Sequence, residues 1–306
     1  MSGRDAAKRL LVTGANGFVA GSVISHALTD WEAHAVSRSA TPVQRNRLFW
    51  HTLDTVDCGA LRGLFEDICP HAVIHAAAVA DIDYCQAHQE EAWRVNVELT
   101  RTLVLLCSEH GAKLVHISTD TVFDGERGRY REEDAPGPVN YYAKTKADAE
   151  SVVAGHVESW VVARLALVVG LPVLGAGNSF LSRMIPVLEQ GRELGVPDDE
   201  IRSPIDVITL GRALLELAEN DFTGFLHLAG NDVMNRHTMA QRIAERLGLR
   251  KELVVARSPR GIPGRAPRPR DVSLDNGRAK QVLGTPMVGL DSGLDLVLGR
   301  DFPDSE

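Results

Sequence analysis

The chain has 306 residues, a formal net charge of -8 and a pI near 5.8, with 44% hydrophobic and 24% charged residues. This composition suits a globular fold that buries its core without metals or disulfides, and it excludes extended disorder. The acidic balance argues against nucleic acid or an anionic membrane as partner, yet leaves small phosphorylated ligands open, because those need only local positive charge and helix N-termini.

The opening Met1 to Leu10 has no apolar core of signal-peptide length, and no stretch approaches the roughly 18 apolar residues of a membrane span, so a cytoplasmic protein without a membrane partner is expected. Cys58, Cys69, Cys85 and Cys107 stand far apart with no CxxC pair, which points to reduced thiols and no metal site.

In chain order, Leu10 to Thr13, His34 to Ser37, Ala72 to His75 and Leu114 to Ser118 read as short buried strands. Between them, Gly17 to Thr29, Ala60 to Cys69 and Glu90 to His110 carry apolar residues at helical spacing. Tyr141 to His156 predicts a further helix and Trp160 to Leu165 a further strand. Strand and helix in alternation imply right-handed βαβ crossovers, hence an α/β fold with a Rossmann-type doubly wound parallel sheet. Beyond residue 165 the alternation loosens. Asn178 to Gln190, Ile208 to Ala218 and Thr238 to Leu247 read as helices, and the Pro-, Gly- and Arg-rich run from Arg257 to Arg270 as a loop. The expected organisation is a dinucleotide-binding domain over 1–165, joined by parts of 203–230, and a smaller, partly interleaved C-terminal substrate domain over 166–306.

The run LVTGANGFVAG from Leu11 sits where the first strand meets the first helix. Gly14 permits a tight turn, Gly17 lets backbone approach a diphosphate, and Ala20 with Gly21 allows close packing of helix on sheet. Asn16, Phe18 and Val19 complete this phosphate-binding turn, whose helix N-terminus favours an anion. Where an acidic residue would hold the ribose of NAD, the second strand ends in Ser37-Arg38. Arg38 suits a 2′-phosphate, so NADP(H) is the preferred cofactor and NAD(H) stays open; the alternative is a solvated surface arginine. By position, Asp54 approaches the adenine, and Ala76, Ala77 and Ala78 form a small-residue floor.

Tyr142 and Lys146 lie four residues apart on one helix face. A phenol exchanging a proton near neutrality needs its pKa lowered by about three units, and a lysine cation supplies part of that. The Thr119 hydroxyl, at the end of the strand that carries Ser118, can hold the same carbonyl oxygen.

With these motifs the chain resembles the extended short-chain dehydrogenase/reductases, and within them the dTDP-4-dehydrorhamnose reductase group. The resemblance rests on TGANGFVAG from Thr13, HAAA from His75, ISTDTVFDG from Ile117, YREEDAPGPVNYYAKTKADAE from Tyr130, RSPIDV from Arg202 and RPRDVSLD from Arg268. It implies Thr119, Tyr142 and Lys146 as the catalytic set, with Lys146 also touching the nicotinamide ribose and Asn96 supporting the site. It also implies a small-molecule substrate, a nucleotide sugar, and a homodimer. Asp120, Thr121, Asn178, Arg202 and Arg268 are the candidate substrate contacts. Thr121 replaces an aromatic residue usual in the group, Leu165-Ala166 replaces Ser-Trp, and no Glu follows Asp120, which argues against a dehydratase. The resemblance places Arg202 at the cleft, with an inter-domain salt bridge as the alternative, and the arginines at 257, 260, 265, 268 and 270 could equally clamp a diphosphate or lie in solvent. Glu132-Glu133-Asp134 reads as a solvated turn. VFDG, YREED and RPR are also similar to the regulatory beta subunits of methionine adenosyltransferase, which implies, as the alternative, a cofactor-binding regulatory subunit. Epimerase chemistry with tightly held NAD is a third reading.

Overall fold

The computed structural model describes residues 7–39, 43–174, 179–258 and 264–299, so Asn178 and Arg260 lie outside the described residues. The first half builds β1 (Lys8–Thr13), α1 (Phe18–Ala27), β2 (Trp31–Ser37), β3 (Leu48–Thr52), α2 (Cys58–Ile68), β4 (Ala72–His75), α3 (Ile82–Ala87), α4 (Gln89–Trp93), a π turn (Arg94–Glu98), α5 (Leu99–His110), β5 (Lys113–Thr119), α6 (Tyr141–Ala154) and β6 (Trp160–Leu165). There follow β7 (Val168–Val169), α7 (Phe180–Glu189), β8 (Leu194–Val196), β9 (Ile201–Arg202), β10 (Ile205–Asp206), α8 (Val207–Glu219), β11 (Gly224–Leu228), β12 (Met234–Asn235), α9 (Arg236–Arg246), β13 (Val254–Ala256), α10 (Gly277–Val282) and α11 (Leu290–Leu298).

The main sheet has seven strands in the order β11-β6-β5-β4-β1-β2-β3, every pair parallel. Its central strands are buried on both faces, so successive residues serve different cores: Leu10 and Val12 of β1 join one layer with α1 and α8, and Leu11 joins the other with α2 and α5. The chain reverses its winding at β1, whose neighbours are β2 and β4, and this opens a crevice at the carboxyl ends of the strands. A third core gathers Leu181, Met184, Val196, Met239, Ile243, Val254 and Leu294 from α7, β8, α9, β13 and α11. Helix α8 returns from the second half to cover the sheet. Ser22 of α1 donates to the Val207 carbonyl at 2.7 Å, and a Cβ on Gly211 would fall 2.5 Å from the Ser22 Oγ, so the two helices cross at small residues.

Two sheet strands differ from the sequence expectation. β3 and β11 are short, partly exposed edge strands, LFWHT and GFLHL, without the continuous apolar run of a central parallel strand. The helix expected over 90–110 is divided by the π turn at Arg94–Glu98. Glu132, expected in a solvated turn, is buried and accepts the His227 N–H at 3.0 Å.

Beside it lies a buried ion pair between Arg164 on β6 and Glu150 on α6, with Nη2 to Oε2 at 2.8 Å and Nε to Oε1 at 3.0 Å. The Arg164 guanidinium also stacks on Phe225 and Phe123, with 4.6 and 5.0 Å to the ring centroids. Glu150→Ala leaves that cation buried and unpaired, and a loss of about 3–5 kcal/mol is expected in urea unfolding. Glu109→Ala, which breaks the exposed Arg62–Glu109 pair, is expected to cost under about 1 kcal/mol in the same measurement.

Candidate active site

The crevice begins where the turn after β1 meets the segment after β4. Gly14 has φ +68, and a Cβ there would sit 2.7 Å from both Cα and N of Ala77. Only glycine fits this position, on conformational and steric grounds alike. Gly17 caps α1 without a side-chain hydrogen bond, and its own Cβ would lie 3.0 Å from the Gly14 carbonyl. The first-turn amides are thereby left as donors for an anion. Gly21, expected to serve helix-on-sheet packing, instead admits the Leu174 carbonyl, 2.7 Å from where its Cβ would be.

Two cavities run along the crevice and share Gly17, Ala76 and Ala78. The smaller, about 310 Å3, is lined by Gly14, Asn16, Ser37, Arg38, Asp54 and Ala77, together with Glu91 and Arg94, which sequence reasoning did not single out. Asn16 ties the glycine turn to the end of β2 by donating to the Ser39 carbonyl at 3.1 Å and its hydroxyl at 3.0 Å. The larger, about 510 Å3, is lined by Phe18, Val19, Ser118, Thr119, Asp120, Thr121, Tyr142, Lys146, Arg202 and Arg268. The glycine cradle, the flanking arginine and the floor of small residues fit an extended dinucleotide diphosphate.

Asn140 caps α6 by accepting the Ala143 N–H at 2.9 Å, and its amide donates to the Pro267 carbonyl at 3.0 Å, which ties the helix to the C-terminal segment. One turn apart on α6, Tyr142 and Lys146 face the larger cavity. The phenol is pushed up, first by burial and then by the Asp120 carboxylate, against a hydrogen bond with Thr119 that pulls it down. The lowering by Lys146 expected from the spacing is not what this geometry produces. Burial instead lowers Lys146 itself to about 8, with Glu150 opposing, and its Nζ lies 3.3 Å from His116 Nε2.

His116 and its parallel-strand neighbour His75 are both fully buried, with ring centroids 5.2 Å apart. The Thr100 hydroxyl donates to the Asn96 carbonyl at 2.8 Å, so it accepts from His75 Nε2 at 3.1 Å, and His75 Nδ1 accepts from Thr13 at 2.7 Å. This fixes His75 as the neutral Nε2–H tautomer beneath the π turn. Asn96 lines neither cavity. Its Oδ1 accepts from Val79 N at 2.8 Å, and its Nδ2 donates to Val79 O at 3.1 Å and to Thr145 Oγ1 at 2.9 Å. It therefore positions α6 rather than a cofactor, a π turn being a frequent device at such places.

The far wall of the larger cavity is charged. Asp120 is buried and pushed up to about 6 by desolvation, although Arg202 Nε stands 3.8 Å away. Arg202 donates to the carbonyls of Ile201 at 2.7 Å, Arg270 at 3.1 Å and Pro269 at 3.4 Å, and pairs with Glu200 at 3.4 Å. Arg268 is held by Asp83 through two 3.0 Å contacts. Glu200 and Arg236, 3.0 Å apart, belong to the same wall. Nothing in the local sequence marks them, because β9 and α9 meet only through tertiary packing.

The chain matches the family described as RmlD substrate binding domain over residues 8–300. Methionine adenosyltransferase 2 subunit beta of Bos taurus is 30% identical over 278 residues, covering 89% of this chain and 81% of that one. A crystal structure of a hypothetical dTDP-4-dehydrorhamnose reductase from Sulfolobus tokodaii is 31% identical with a TM-score of 0.81, over 93% of this chain and 98% of that one. The dTDP-4-dehydrorhamnose reductase of Bacillus anthracis, crystallised with NADP, shares the fold at 24% identity and a TM-score of 0.82, over 95% and 99% of the two chains.

Burial holds His75 and His227 neutral, each with its pKa lowered from 6.5 to about 3. Below pH 6.5 the unfolded chain takes up protons that the native rings refuse, so stability falls as pH drops from 6.5 toward 3. Each ring contributes up to about 1.4 kcal/mol per pH unit across that window. Urea midpoints between pH 7 and 4.5 are expected to fall, and His75→Gln is expected to flatten the slope.

Proposed function

This chain belongs to the RmlD substrate binding domain family, and from that premise we propose that it is a reductase, preferring NADP(H), of a carbonyl group on a small molecule. The 4-keto group of a nucleotide-activated deoxysugar is the form favoured by the sequence resemblance and by the Sulfolobus tokodaii relative. The observation that carries this reading is the single crevice in which the glycine cradle leads directly to Thr119, Tyr142 and Lys146. Residues 1–165 with parts of 203–230 make the cofactor side, and the remainder of 166–306 the substrate side.

Gly14 and Gly17 would admit the diphosphate, Arg38 with Arg94 the 2′-phosphate, and Asp54 the adenosine end, while Ala76 to Ala78 leave room for the ring system. When bound there, the dinucleotide would supply the hydride. Tyr142, kept in its acid form by burial and by Asp120, donates a proton to the carbonyl oxygen. Thr119, beside Tyr142 in the same cavity, would hold that oxygen through its hydroxyl. Lys146, backed by His116, presents its ammonium to the cavity below pH about 8 and so favours negative charge developing on the oxygen.

A second reading, a cofactor-binding regulatory subunit, is favoured by the 30% identity to methionine adenosyltransferase 2 subunit beta. The two part in experiment. NADPH oxidation across a panel of nucleotide 4-keto-sugars is expected to show turnover, and Tyr142→Phe is expected to lower kcat by about 10^2–10^4 while NADPH still binds. A stoichiometric partner in pull-down with no turnover on that panel would favour the regulatory subunit. Arg38→Ala is expected to weaken NADPH binding by about 10-fold or more and leave NADH nearly unchanged, as titrated by fluorescence, because a charge-assisted contact is worth about 1.5–3 kcal/mol.

A further inference from the structure

Among the described residues, the Lys146 Nζ has one hydrogen-bond partner, the Nε2 of His116 at 3.3 Å, and both side chains are buried. An ammonium has hydrogens to give and no lone pair to offer, so Nε2 accepts and the ring proton of His116 sits on Nδ1. That Nδ1 is buried and has no partner among the described residues. A buried donor left unpaired is costly, yet the other tautomer would turn an Nε2–H against the ammonium. The ring does not pass protons onward either. Its neighbour His75, with ring centroids 5.2 Å apart, has both nitrogens engaged, Nδ1 by Thr13 and Nε2 by Thr100. Among the described residues, the contact with Lys146 is therefore the one hydrogen bond that the His116 imidazole makes.

Resting on the reductase reading above, we infer that His116 is a positioning residue for the reaction: its neutral Nε2 keeps the Lys146 ammonium charged at the cavity wall. Burial works against that charge and brings Lys146 down to about 8. Glu150 opposes it from one turn further along α6, but that carboxylate is already bound by Arg164 on β6 and by Ser118. The other titratable groups around the pair are His75 on β4, which is neutral, Tyr142 on α6, Asp120 beyond β5, and Cys85 on α3, near enough to act on the phenol. The π turn and α5 contribute Asn96 and Thr100, which carry no charge. None of these hydrogen-bonds Lys146, so the imidazole is what replaces the water that the ammonium loses on burial.

Nitrogen NMR of histidine-labelled protein at pH 7, with His116→Gln to assign the signal, is expected to show His116 as the Nδ1–H tautomer and His75 as the Nε2–H tautomer. Carbon NMR of lysine-labelled protein, assigned with Lys146→Met, reads the Lys146 titration without any substrate. His116→Phe keeps a ring in place but removes the acceptor. It is expected to lower the Lys146 pKa by about one to two units, the worth of a hydrogen bond to a charged group. The alkaline limb of kcat for NADPH-dependent reduction is expected to move down with it, so that kcat at pH 8 falls about 5- to 50-fold while KM changes little. His116→Gln, which can offer an amide oxygen where Nε2 stood, is expected to restore most of the limb and of kcat. An Nε2–H tautomer for His116 in the wild type, or a Lys146 titration unmoved in folded His116→Phe, would overturn the inference. So would an equal loss of kcat at every pH in both variants, the mark of a packing defect. If His116→Phe does not fold, the wild-type tautomer decides alone. If the wild type turns over no keto-sugar, the reductase reading fails, while the tautomer and the Lys146 titration still decide whether His116 holds the ammonium.

Discussion

The crevice depends on the approach of two backbones at the reversal of the sheet. The turn after β1 and the segment after β4 come so near at Gly14 and Ala77 that no side chain fits between them. That contact sets the mouth of the crevice, brings the uncapped start of α1 over the sheet, and fixes where a diphosphate can lie. From there both cavities follow, one toward the end of β2 and one toward the end of β5. Because parallel strands end together on one side, residues distant in sequence, such as Ala76 and Thr119, become neighbours there without further device.

Beneath the larger cavity the protein maintains a column of buried polar groups. Thr13, His75, Thr100 and the Asn96 carbonyl form one chain of hydrogen bonds, and His116 lies between it and the Lys146 ammonium. Burial keeps these rings neutral, so they serve as donors and acceptors and not as charges. Asn96 makes three hydrogen bonds, to Val79 N, Val79 O and Thr145, which hold α6 against the segment leaving β4. This holds the helix face that carries Tyr142 and Lys146 in one position against the cavity.

Across the cavity the electrostatics follow a different rule. The Arg164–Glu150 pair is fully enclosed and multiply hydrogen-bonded, so its function is to join β6 to α6. The wall formed by Asp120, Glu200, Arg202 and Arg236 opens on the cavity, and its partnerships are incomplete. The Asp120 Oδ2 and the Arg236 Nε are both buried without hydrogen bonds. The two charged clusters thus differ in the completeness of their hydrogen bonding, although both involve a buried arginine.

The sequence by itself determined the parts whose signals are local. β1, β2, β4, β5 and β6 announce themselves because central parallel strands are buried on both faces and read as apolar runs. The Gly14 to Gly17 turn, Arg38, Thr119 and the Tyr142–Lys146 pair are likewise set by spacing along one segment. Only the tertiary structure decided the rest. The edge strands β3 and β11 and the π turn under Asn96 lack a periodic signature. Burial of Glu132, the lysine facing His116, the Leu174 carbonyl seated on Gly21 and the Glu200–Arg236 pair join segments far apart in the chain. The direction of the Tyr142 shift belongs here too. Spacing can say that a lysine is near a phenol, but burial and the Asp120 charge outweigh it, and both exist only once the chain has closed around the site.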